Sequence, residues 1–182
     1  MSLDLFVAAN AKQIPTSQTL ATAVREEGFT VAVPPDLDTS KSCGFVPCPD
    51  STSGFEYTVG PLTATELTNI GISPEHHQQL VAYDSLVGFH FKTEGDLEVV
   101  QALSSVLARI TGGRIIDGES GAIVLPEQAL AWARGEFEPV LPIGQRNIPA
   151  RTRARKGIPL LRIILLVIAA FVGAWLAHQS RG

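Results

Sequence analysis

The feature that most restricts this chain is the stretch from Ile158 to Ala177, in which Arg162 is the one charged residue. As a helix rising 1.5 Å per residue it reaches roughly 30 Å, the thickness of a bilayer hydrocarbon core. Apolar residues run round its whole circumference, leaving no polar stripe at helical spacing of the kind a surface helix keeps. Pro159 suits a first helical turn, where its missing N–H costs nothing. Arg162 lies one turn inside, near enough to the end for its long side chain to snorkel to the headgroups. Trp175 suits the opposite interface. The stretch predicts a single transmembrane helix over 158–178.

Charge is distributed to match. Residues 1–145 carry all 18 acidic side chains and seven basic ones, a balance of −11, whereas the remainder carries seven basic groups and no acid. Arg146, Arg151, Arg153, Arg155, Lys156 and Arg162 precede or open the span, against Arg181 alone beyond it. The positive-inside rule then keeps the amino-terminal part cytoplasmic and sends a short tail, 179–182, across. Met1 to Ala8 reads as a strand rather than a charged segment leading into an apolar run, so no signal peptide is expected. The arrangement expected is a tail anchor: an acidic domain over 1–137, a Pro- and Arg-rich linker over 138–157, then the span. The linker's basic residues read as topology determinants that also hold anionic lipid. They lack the interleaved aromatics of a nucleic-acid surface, so no direct nucleic-acid contact is expected. Ala169, Gly173 and Ala177 form a small-residue row that lets two helices approach closely; small residues are also common in spans, and a homodimer through this face is left open.

The first 137 residues alternate strand-like and helix-like patterns. Leu3 to Ala8 reads as a strand. A helix follows over 17–27, with Ser17 as its cap, Leu20, Ala23 and Val24 inward, and Gly28 as its stop. Phe29 to Val33 reads as a returning strand. Gly54 to Val59 alternates with Phe55, Tyr57 and Val59 on one face. Thr63 to Glu66 forms a capping box, and Ser73-Pro74-Glu75 opens another short helix. Leu86 to Phe91 alternates again. Thr93 opens a helix whose stripe is Val99, Val100, Leu103, Val106, Leu107 and Ile110, stopped at Gly112-Gly113. Arg114 to Asp117 reads as a strand turning through Gly118 to Gly121 into Ala122–Leu125, and Pro126 starts a last helix ending before Gly135. The fold class predicted is α+β, with helices packed on a mixed or largely antiparallel sheet.

No motif carries catalysis, and no enzyme activity or cofactor is expected. The Gly118-Glu119-Ser120-Gly121 run is followed by Ala122 and sits in a hairpin, so it is not a nucleophile elbow. His76 and His77 are neighbours on a helix and point about 100° apart, which cannot clamp one metal. His90 alternates away from the Phe89/Phe91 face and reads as a surface or edge residue. Cys43 and Cys48 have neither redox nor zinc spacing and read as free loop thiols. Asp36, Asp38 and Asp50 lie in a Pro- and Ser-rich loop over 34–53 without the ligand spacing of a calcium site. They read either as solvated acid or as a surface that a basic partner would meet.

A small acidic α+β domain with a cytoplasm-facing anchor, carrying the helix, Gly-Gly, strand and Asp-x-x-Ser-Gly run from Leu97 to Gly121, resembles immunity proteins of bacterial type VI and contact-dependent toxin systems. The resemblance implies a location in the inner membrane and the binding and neutralisation of a basic toxin effector, such as a nuclease. No residue role is transferred by position. Acid suited to steering a basic partner is supplied by Asp36, Asp38, Asp50, Glu56, Glu94, Asp96, Glu98, Asp117 and Glu119. The alternative is a tail-anchored adaptor or envelope-assembly component that recruits a cytoplasmic partner to the bilayer.

Overall fold

A computed structural model of the chain describes residues 3–49 and 54–139. The predicted span, its flanking Arg151, Arg153, Arg155, Lys156, Arg162 and Trp175, the Ala169/Gly173/Ala177 row and Asp50 all lie outside the described residues. Among the described residues no helix is long and apolar enough to cross a membrane.

Strand β1 (Leu3–Ala9) carries apolar side chains on both sides: Leu5, Val7 and Ala9 toward one core, Phe6 and Ala8 toward another. A strand that must bury both faces belongs in the interior of a sheet. It lies there, in a six-stranded sheet of order β2-β3-β4-β1-β5-β6. The other strands are β2 (Gly44–Pro47), β3 (Gly54–Pro61), β4 (Ser85–Phe91), β5 (Arg114–Asp117) and β6 (Ile123–Val124). Every neighbouring pair is antiparallel, which decides between the mixed and the largely antiparallel sheet that were expected.

Helix α4 (Glu94–Thr111) covers the first face. Val100, Leu103, Val106 and Leu107 pack with Val7, Tyr57, Phe89 and Phe91. Its carbonyl end is closed by Gly112 at φ 63°, a left-handed cap that a side chain would strain. Ile110, expected in the apolar stripe, is 42% exposed at the last turn. Helices α1 (Ser17–Glu26) and α5 (Ala129–Ala133) complete this core with Leu20, Val24 and the buried Trp132. The cap of α1 is Thr16, whose hydroxyl accepts the Thr19 N–H at 3.3 Å; Ser17 is already helical.

Two further expectations are corrected. Phe29 to Val33 joins no sheet. Phe29, Val31 and Val33 pack against the first core, and Arg134 stacks 5.6 Å over the Phe29 ring. A two-residue period reports half-burial, which side-chain packing satisfies without a ladder partner. Conversely, the 34–53 stretch holds strand β2, flanked by a half-buried Cys43 and a buried Cys48. Strands β4 and β5, joined in the chain through α4, are separated in the sheet by β1.

The second face is covered by lighter elements, α2 (Ala64–Asn69) and α3 (Pro74–His77), with the chain around them. Thr63 caps α2 as expected, accepting the Glu66 N–H at 3.1 Å. Leu67, Ile72 and Leu80 pack on Phe6, Ala8, Leu86 and Ile116.

Candidate functional site

The antiparallel register sorts the second face into rows that cross the strands. One row pairs Gly60 with Leu86 and Leu86 with Ala8; the next sets Thr58, Gly88, Phe6 and Ile116 side by side. The third runs Phe45, Glu56, His90, Asp4. The first two rows include the apolar residues that pack under the α2–α3 cover. The third is polar but for Phe45, which is 67% exposed. Where the cover ends, a groove of about 710 Å³ opens between α2 and the sheet. Phe6, Leu86 and Ile70 supply apolar walls, and Asp4, Thr58, Glu66, Asn69 and His90 supply polar groups.

Glycine makes room for these side chains. A Cβ at Gly88 would collide with the Thr58 hydroxyl and stand 3.1 Å from the His90 ring; one at Gly118 would stand 3.0 Å from the Phe6 ring and 3.1 Å from the Asp4 side chain. In the space that remains, Phe6 meets His90 edge-on, ring centroids 5.6 Å apart. His90 Nδ1 lies 2.8 Å from Asp4 Oδ1, and Nε2 lies 3.4 Å from Thr58 Oγ1. His90 is thus a half-buried residue of an interior strand, neither an edge nor a plain surface residue.

Carboxylate, imidazole and hydroxyl stand here in the order of a nucleophilic triad. Two features separate the cluster from a working one. The hydroxyl contact is long, and Thr58 sits mid-strand, where backbone N–H groups serve sheet pairing rather than converging on an oxyanion. The chain fixes the imidazole and leaves a polar, shaped floor.

The described acidic side chains among those expected to meet a partner do not share one surface. Asp36 and Asp38 line a smaller hollow of about 350 Å³ beside the start of α1. Asp38 also holds a turn: its carboxylate accepts from the Ser40 backbone and hydroxyl and pairs with Lys41 at 2.8 Å. The Lys41 contact, then the Ser40 bonds, hold its pKa down at about 2. Glu56 is exposed on the second face beside His90, and Glu98 is exposed on α4, which packs on the first face. Asp117 and Glu119 lie in the β5–β6 turn, where Asp117 accepts the Glu119 N–H at 3.0 Å. Glu94 opens α4, and its side chain lies outside what is described.

Asp96 leaves the set. Its side chain is fully buried and reciprocates the helix cap, accepting the Thr93 hydroxyl at 2.6 Å while Thr93 accepts its N–H. A first-turn carboxylate three residues after threonine is a capping signature, and here that role uses the residue inside the protein.

One signal for the groove lies in the sequence. Asp4 and His90 are polar residues at odds with the apolar strands that hold them. Among the described residues no group of three or more histidine, cysteine or carboxylate side chains is placed to hold a metal. His76 and His77 are engaged locally, by Ser73 at 2.8 Å and by the Ile72 carbonyl at 3.0 Å. Comparisons with protein-family models, with curated proteins and with solved structures find no match to this chain.

Proposed function

We propose that the chain is a membrane-anchored immunity protein whose acidic domain binds and neutralises a basic toxin effector, acting by occupancy rather than turnover. The observation that carries this reading is the partition of charge: −11 over residues 1–145, with 18 acidic against seven basic side chains, followed by a segment that is purely basic. An acidic globule is repelled by anionic lipid while its stalk is drawn to it, so the domain stands free to meet a cationic partner. Such a partner presents a basic cleft, and long-range attraction speeds the encounter. The tail anchor over 158–178 would hold the inhibitor at the inner membrane, where a delivered toxin enters.

The test is protection. Co-expression with a toxin encoded beside the gene should restore growth, and the purified protein should bind that toxin tightly. Failure to protect against every neighbouring toxin removes the reading. The adaptor alternative rests on the same anchor and separates on truncation. Deleting residues 158–182 leaves an inhibitor able to bind in solution, whereas a recruiter loses its function with its membrane.

A further inference from the structure

We infer that the groove on the second face of the sheet receives a short basic and apolar segment of the partner, seating an arginine or lysine side chain between the carboxylates of Asp4 and Glu66. The inference rests on the inhibitor reading for the partner's identity and adds the place and chemistry of contact. Charge selects the ligand. Asp4 comes from β1 and Glu66 from the exposed side of α2, no lysine or arginine is among the groove residues, and Glu56 continues the acid along the neighbouring row. An anion entering would meet carboxylates from both sheet and helix. Shape selects the rest. The groove's 710 Å³ exceeds one side chain and suits a few residues of peptide. Its apolar surface, Phe6, Leu86 and Ile70, would cover the hydrocarbon stem that arginine or lysine brings with its charge. His90, held by Asp4 through one ring nitrogen and by Thr58 through the other, gives the wall a fixed imidazole ring against which the segment would lie.

The test uses full-length protein in a non-ionic detergent and two pentapeptides, acetyl-Ala-Leu-Arg-Leu-Ala-amide and its counterpart with citrulline in place of arginine. The arginine peptide should bind roughly tenfold more tightly than the citrulline peptide and should shift the His90 ring signals in NMR spectra. Asp4→Asn and, separately, Glu66→Gln should erase that preference, while Glu127→Gln, an exposed acid away from the groove, should keep it. Glu66 is exposed on its helix, so its variant keeps the experiment decisive even if Asp4→Asn unfolds the sheet. Equal affinity for the two peptides, unmoved His90 signals, or a preference that survives Glu66→Gln overturns the inference. Protection from a neighbouring toxin that persists undiminished in the Glu66→Gln variant, alongside those peptide results, leaves the inhibitor reading standing and this one refuted. Peptide selectivity without any toxin protection does the reverse.

Discussion

At residue scale the structure separates acids that hold the fold from acids that face outward, and the difference is one of partners. Asp38 is only partly buried yet committed to a turn by Lys41 and Ser40, which bring its pKa from an ordinary 3.8 to about 2. A carboxylate whose folded pKa is depressed contributes stability above its unfolded pKa and loses it as pH falls through the folded value. The window here is therefore from about 3.8 down to about 2, and solvent screening keeps the contribution small. Carbon-detected NMR titration should place the Asp38 midpoint near the lower end, and Lys41→Met should return it toward the ordinary carboxylate range. Tyr57 illustrates burial instead: desolvation pushes its phenol well above the usual range, and its hydroxyl donates to the Thr39 carbonyl at 2.9 Å. Gly88 matters for the space it leaves. Gly88→Ala drives a methyl into Thr58 and against His90, and should destabilise the domain by about 1–3 kcal/mol, as overpacking does. Urea unfolding followed through the buried Trp132 would measure it.

At the scale of elements, α4 is the piece on which the first core depends. It packs on β1, β3, β4 and β5 and on helices α1 and α5. Leu103 is fully buried at the centre of its stripe. Leu103→Ala should cost about 2–5 kcal/mol through lost burial and a residual cavity, visible as a lower urea midpoint with little change in slope. Ile110→Ala, at the exposed last turn of the same helix, should cost well under that, because little is removed from the core. The second face is different in kind. α2 and α3 span six and four residues, too short to be stable alone, so their helicity depends on Leu67, Ile72 and Leu80 docking on the sheet. Amides of α2 should consequently exchange with solvent faster than those of α4, and a groove walled by α2 can adjust to what enters it.

For the whole molecule, the decisive property is separation of charge along the chain. If attraction between an acidic domain and a basic partner sets the encounter, the association rate should fall steeply between low and physiological salt, with dissociation less affected. Stopped-flow mixing at two ionic strengths would show it, and a salt-independent rate would remove steering from the mechanism. The proposed anchor has its own test: full-length protein should resist carbonate extraction from membranes, and protein lacking 158–182 should not.

The sequence by itself determined which residues are strongly periodic. Leu86–Phe91, the α4 stripe, the Thr63 cap and the Gly112 stop were legible because each depends on neighbours within a turn or two of the chain. It also showed the charge partition and the apolar stretch near the carboxyl end. Tertiary structure alone decided strand order and register, and these depend on contacts between residues far apart in sequence. The spacing from Asp4 to His90 says nothing about their meeting; the pairing of β1 with β4 sets them opposite one another. Strand order put β1 between β4 and β5 and left Phe29–Val33 outside the sheet, while pairing with β3 gave Gly44–Pro47 a ladder. Burial likewise took Asp96 into a helix cap and divided the remaining acids between different surfaces. Local pattern fixes which way a side chain alternates, and only the closed sheet fixes what it faces.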